Sequence, residues 1–136
     1  MFLIDTNVWM EKLLEQKRAI EVEQLRKYIP SSQLAISDFA FHSIGIILID
    51  RRKENLFQLF IDDSFVVGSV SILSLNEIDL KHIIDTRISS LDFDDRYQFL
   101  VKEKFGLDLV TFDSDYKKSG IKVLSPVEAV RKFLKS

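Results

Sequence analysis

The chain has 136 residues, room for one domain, and its 46% apolar and 29% charged residues are the balance of a soluble globular fold, not of a disordered chain. It has no cysteine, which excludes disulfides, thiolate metal sites and cysteine nucleophiles, and no apolar run approaches membrane-spanning length. Net charge is −2, so nucleic acid is held only through a local patch or a bound cation.

The first residues carry no basic head followed by an apolar stretch, so residence in the cytoplasm is expected. Phe2-Leu3-Ile4 is a short apolar run closed by Asp5 and reads as a buried parallel strand. Asp5-Thr6-Asn7 supplies turn and capping chemistry before a helix that places Val8, Trp9, Leu13 and Leu14 on one face. A helix over 21–28 is stopped by Pro30 and the Ser31-Ser32 pair. Ser37-Asp38 then opens a long apolar stretch, Phe39 to Ile49, too long for a strand and read as a buried helix, with Arg51-Arg52-Lys53 at its negative dipole end. Leu56, Leu59 and Phe60 indicate another short helix, and a strand is expected within 66–75.

Residues 76–86 read as a helix capped by Asn76, with Ile78, Ile83 and Ile84 turned inward. A clearer helix over 93–105 opens on the acids Asp92, Asp94 and Asp95 and closes at Gly106. Leu109 to Phe112 is a buried strand that runs into Asp113 and Asp115, residues 122–124 a last short strand, and Pro126 the first turn of the final helix. Strands alternating with helices predict an α/β fold with a mostly parallel sheet and helices on both faces, in a single domain over 1–136.

Acids recur at informative places in this plan. Asp5 and Asp113 end strands, and Asp38 and Asp95 stand at or near helix starts. Side chains from such places meet in the crevice beyond the carboxyl ends of a parallel sheet. Carboxylates forced together repel, and a cation relieves them; oxygen-only ligands suit Mg²⁺ or Mn²⁺. Taken singly, Asp38 and Asp95 are equally well explained as helix caps, and Asp92 and Asp94 as a solvated first turn. A lone His such as His42 beside a buried helix reads as a hydrogen-bonded core residue, and His82 as a solvated one. Lys117-Lys118 and Arg51 to Lys53 could contact phosphates, although basic helix ends commonly serve only the dipole.

The combination of Phe2-Leu3-Ile4-Asp5-Thr6-Asn7, Leu91-Asp92-Phe93-Asp94-Asp95 and Leu109 to Tyr116 resembles the PIN-domain family, including its VapC-type toxin ribonucleases. The resemblance runs along nearly the whole chain and implies a PIN-like three-layer α/β/α architecture. It further implies a metal-dependent endoribonuclease, the toxin of a toxin–antitoxin pair, with RNA as substrate, a cognate antitoxin and a second copy of the chain as partners. By it Asp5, Asp95 and Asp113 are metal-site carboxylates, Asp115 is a fourth, Thr6 and Asn7 are polar helpers, and Asp94 is one residue out of register. The family's helix near residue 38 usually carries a Glu two turns in, where this chain has Ser43 and no acid from Phe39 to Ile49. Either Asp38 replaces it from the helix start, or the site has fewer ligands and weaker metal affinity. The alternative is a catalytically degenerate RNA-binding or assembly module on the same fold. A receiver-type phosphoryl-transfer domain ranks low, because that family places an acidic pair at the first strand and Thr6-Asn7 stands here instead.

Overall fold

A computed structural model describes all 136 residues, Met1–Ser136. In chain order it runs β1 (Phe2–Ile4), α1 (Thr6–Leu13), α2 (Ala19–Tyr28), β2 (Leu34–Ser37), α3 (Asp38–Asp50), α4 (Glu54–Ile61), β3 (Ser71–Leu73), α5 (Glu77–Leu80), α6 (Phe93–Phe105), β4 (Asp108–Val110), α7 (Asp115–Lys118) and α8 (Pro126–Lys135). The four strands form one sheet in the order β3-β2-β1-β4, every pair parallel. The expected architecture is therefore present, and the sheet is wholly parallel.

Alternation along the strands sorts the core into two layers. Phe2 and Ile4 of β1, Leu34 and Ile36 of β2 and Val110 of β4 face one way, against Trp9, Leu25, Ile44 and Leu48 from α1, α2 and α3. Leu3, Ala35 and Leu109 face the other way, against Leu100 and Val101 of α6 and Tyr116 of α7. Trp9 is core, as its residue type suggests: its ring packs edge-on against Phe60 and its indole N–H donates to the Ile4 carbonyl at 3.1 Å. No helix is long and apolar enough to cross a membrane.

Several elements depart from the sequence expectations. The four-residue strand β2 was hidden between the Pro30 stop and the Ser37 start signal, too short to show a period. The helix expected over 76–86 is only the single turn α5, started by a full capping box at Asn76 and Asp79, followed by two 3₁₀ turns that break at Asp85. Ile78 and Ile84 are exposed at 68% and 77%, Ile83 packs half-buried against the core as expected, and Ile88 is the fully buried one. The strand within 66–75 shrinks to Ser71–Leu73, because Val66 and Val67 belong to a wide helical turn. That turn closes only because residue 68 is glycine: a Cβ there would lie 2.5 Å from the Asp63 carbonyl. The last strand is a single parallel bridge between Val110 and Leu124. His42 is exposed, not a core residue.

α3 starts with Ser37, not Asp38, as its cap. The Ser37 side chain is fully buried and accepts from Ala40 N at 3.0 Å, while Asp38 is the first helical residue. Ser37→Ala should therefore destabilise the fold by about 1 kcal/mol, measured as a shift in urea midpoint at constant m-value. An Asp38→Ala variant should lose less than this cap contributes.

Candidate metal centre

Strand order 3-2-1-4 means that the chain leaves β1 in one direction for β2 and returns on its other side for β4. The crevice between the carboxyl ends of β1 and β4 is thus the topological switch point, where open parallel sheets place their sites. Asp5 follows β1 directly, and Asp113 lies three residues beyond β4.

Asp5 is 5% exposed, yet its carboxylate is held by donors from three segments. Oδ1 accepts from Thr6 N and from Gln98 Nε2, each at 2.9 Å, and Oδ2 accepts from Thr111 Oγ1 at 2.8 Å. Asn7 fastens the same corner: its Nδ2 donates to Thr111 Oγ1 at 3.0 Å and its Oδ1 accepts from Phe112 N at 3.1 Å. Thr111 Oγ1 also accepts from Asp113 N at 3.0 Å, so one hydroxyl ties both strand-end acids together. Burial pushes the Asp5 carboxyl above its ordinary value; the bonds from Gln98, Thr111 and Thr6 offset part of this, and the Asp113 charge adds to it.

α6 delivers the next acid. Asp92 caps the helix by accepting from Asp95 N at 3.0 Å, which puts Asp94 and Asp95 in the first turn, beside the positive end of the helix dipole. Asp95 Oδ1 accepts from the buried hydroxyl of Tyr116 at 3.0 Å. Partial burial raises the Asp95 carboxyl to about 7, the Tyr116 bond working against this and the charges of Asp92, Asp113 and Asp5 with it. The Tyr116 phenol is in turn pushed up, first by burial and then by the facing acids, and remains a neutral donor.

Carboxylate oxygens of Asp95, Asp113 and Asp115 lie within 4.8 Å of one another. Oxygens at about 2.1–2.4 Å from a shared ion can be at most about 4.2–4.8 Å apart, so the spacing matches a hard divalent cation, with the exposed Asp115 free to close further. The donor set is all oxygen and all acidic, and carboxylates brought this close repel one another, a cost that a cation removes. These residues fit the group that the sequence implied.

Beside them opens a cleft of about 440 Å³ walled by Asp5, Thr6, Asn7, Asp94, Asp95 and Gln98 on one side and by Ser43 with Phe39, Ile46 and Ile47 of α3 on the other. The helpers Thr6, Asn7, Asp94 and Ser43 thus come together around Asp5 and Asp95. Asp38 does not. Its Oδ1 accepts from Phe39 N and from the Tyr97 hydroxyl, each at 2.8 Å, and it is neither a wall of the cleft nor part of the three-acid group. Asp94 faces the cleft but stays outside the three-acid group, and so does Asp5, which the resemblance made a metal-site carboxylate.

Three side chains that build this site were not singled out in the sequence. Gln98 stands one turn after Asp95 and so shares its face, a spacing that could have been read. Its amide donates to Asp5, and its Oε1 is buried with no donor of its own. Thr111 and Tyr116 sit inside the Leu109–Tyr116 segment, but their partners, Asp5 and Asp95, are distant in sequence and gave no local signal.

A profile of the family described as "PIN domain" matches residues 2–122, nearly the whole chain, and the chain belongs to that family. PIN domains are in general nucleases that use divalent metals. No curated protein matches the sequence. Among solved structures, a toxin–antitoxin complex from Klebsiella pneumoniae is 20% identical at a TM-score of 0.71, over 93% of this chain and 98% of that one. VapC20, a sarcin–ricin loop-cleaving toxin of Mycobacterium tuberculosis, is 16% identical at a TM-score of 0.72, over 93% of this chain and 100% of that one. FitAcB from Neisseria gonorrhoeae is 17% identical at 0.67, over 93% and 99%. At these identities the likeness is one of fold.

The raised Asp95 carboxyl has a sign that can be tested in metal-free protein. Its ordinary value is 3.8 and its folded value about 7, so between those limits the folded state holds the proton that the unfolded state has released. The stability that Asp95 contributes should be fully present below pH 4, be lost as pH rises to about 7, and stay absent above. Asp95→Asn should flatten that slope and raise the urea midpoint at pH 8 in the presence of chelator. A slope unchanged by the substitution would assign the effect to another group.

Proposed function

We propose that the protein is a Mg²⁺- or Mn²⁺-dependent endoribonuclease and the toxin of a type II toxin–antitoxin pair, working in the cytoplasm as a homodimer until a cognate antitoxin binds it. The observation that carries this reading is the convergence of Asp95, Asp113 and Asp115 within 4.8 Å, with Asp95 also lining the cleft that Asp5 walls. Toxin–antitoxin proteins among the structures of the same fold support the biological role. Divalent ions in such a carboxylate site supply activation of water and neutralisation of charge on a phosphodiester.

The chain's own residues prepare that chemistry. Asp113 and Asp115 offer oxygens from the β4–α7 connection, and Asp95 offers one from the first turn of α6, aimed by Tyr116. Asp5 is the fixed member, its position set by Thr6, Gln98 and Thr111 before any ligand arrives, which reduces the reorganisation left for the reaction. Phe39, Ile46 and Ile47 form the apolar wall that limits water on the opposite side. Ser43 on that wall is neutral where the family usually has Glu, so the set has one acid fewer and the expected metal affinity is correspondingly lower. Asp38 acts on this arrangement through Tyr97, by holding the start of α3 to α6.

The degenerate binding-module alternative shares the fold but not this charge balance, and two measurements separate it. Mn²⁺ at 100 times its dissociation constant should stabilise the fold by about 2.7 kcal/mol over salt of matched ionic strength, and Asp113→Asn should blunt the effect while Asp62→Asn leaves it intact. In a cleavage assay on single-stranded RNA, Asp5→Asn should abolish activity without loss of folded protein, and Ser43→Glu should raise activity by tightening the metal. A wild-type protein indifferent to divalent ions would leave the binding module as the surviving reading.

A further inference from the structure

Asp113 also walls a second, smaller notch of about 220 Å³, together with Arg18, Phe112, Ser114, Lys117 and Ser125. Its cations come from different elements, Arg18 from the connection between α1 and α2 and Lys117 from α7. The Arg18 guanidinium lies over the Phe112 ring, 4.0 Å from its centroid, and is steadied along one edge by Glu21, with Nε and Nη2 donating at 3.3 and 2.9 Å. Its Nη1 donors remain uncommitted. Lys117 forms no ion pair, whereas its neighbour Lys118 is turned to Asp115. Ser125 Oγ already accepts from Glu128 N, which leaves its O–H to donate outward, and Ser114 is exposed.

We infer that this notch binds a backbone phosphate of the RNA strand next to the one being cut, with Arg18 and Lys117 as the phosphate-binding residues and the Arg18–Phe112 pair as a platform for the adjoining base. This inference rests on the ribonuclease reading. Asp113 is the hinge of the geometry, since it belongs both to the three-acid group and to the wall of the notch; a strand crossing it meets cation-held chemistry on one side and fixed positive charge on the other. The notch answers a question posed by composition: a chain of net charge −2 must hold phosphates through a local patch. Arg51, Arg52 and Lys53, the densest basic run, wall neither the cleft nor the notch. A carboxylate from a protein partner would also meet two cations here, but it would have no use for a guanidinium laid flat on an aromatic ring, which matches a base stacking beside its phosphate.

The test is binding of a short fluorescent single-stranded RNA of mixed sequence, with Ca²⁺ in place of the catalytic ion, across a range of salt. Loss of the one phosphate contact should reduce the slope of log affinity against log salt by about 0.7, so the Arg18→Gln, Lys117→Gln pair should bind more weakly with a slope smaller by about 0.7. Its thermal stabilisation by Mn²⁺ should equal that of the wild type, because neither residue belongs to the acid group. Lys117→Gln alone, on an exposed position, keeps the test available if loss of the Arg18 contacts impairs folding, and should lower affinity and slope in the same direction by less than the pair. Wild-type affinity and slope in these variants would overturn the notch and leave the nuclease reading standing. A wild type that neither holds nor cuts RNA would overturn the nuclease reading and the notch with it.

Discussion

A carboxylate taken out of water must be held by donors or neutralised, and Asp5 is held. Its two oxygens receive bonds from Thr6 at the start of α1, Gln98 in α6 and Thr111 at the end of β4. These are the segments that meet at the switch point of the sheet, so one buried charge fixes how the two halves of the fold approach each other. Asn7 and Asp113 then attach to Thr111, and Asp95 follows Gln98 by way of their shared helix face. Remove the Asp5 side chain and the donors around it lose their common acceptor; keep it, and these segments are held in fixed places about it.

The resulting arrangement is unfavourable when it stands alone. Burial raises Asp5 and Asp95, and the Asp113 charge adds to both. Stability has been given up at one end of the sheet, while the core layers on both faces carry ordinary apolar packing. Local cost of this kind, confined to a cleft and relieved by a cation, is the physical mark of a site arranged for binding. The loss of an acid at Ser43 reads naturally in the same terms: with Asp5 already buried and Asp94 facing the cleft, a neutral residue on the α3 wall lessens repulsion at the expense of ligand charge.

Much of this was legible before the fold was known. The strand-end acids Asp5 and Asp113 and the first-turn acid Asp95 were readable because apolar strands, capping residues and a closing Gly106 mark their elements locally. Their order matched a known family, which joined them across the chain. What could not be read depended on distant partners. Tyr116 ended a motif segment with no role of its own until its hydroxyl was found on Asp95, and Thr111 looked like a strand residue until it was found bridging Asp5 and Asp113. Asp38 was expected in the site because it opens α3, but the cap there is Ser37, and Asp38 spends its carboxylate on Tyr97 instead. The helix expected over 76–86 failed for a related reason: its isoleucines have helical spacing, yet Ile78 and Ile84 stay exposed, Ile83 is only partly buried, and the fully buried one is Ile88, beyond the break at Asp85.

The claim on which the functional account stands is that these acids share a divalent cation. Its most direct measurement is the anomalous signal of manganese in crystals grown or soaked with Mn²⁺. The account predicts a peak bonded to the carboxylates of Asp95, Asp113 and Asp115, adjoining Asp5, that disappears in the Asp113→Asn protein. No peak there at saturating Mn²⁺, or one on surface acids such as Asp62 and Asp63, would contradict it.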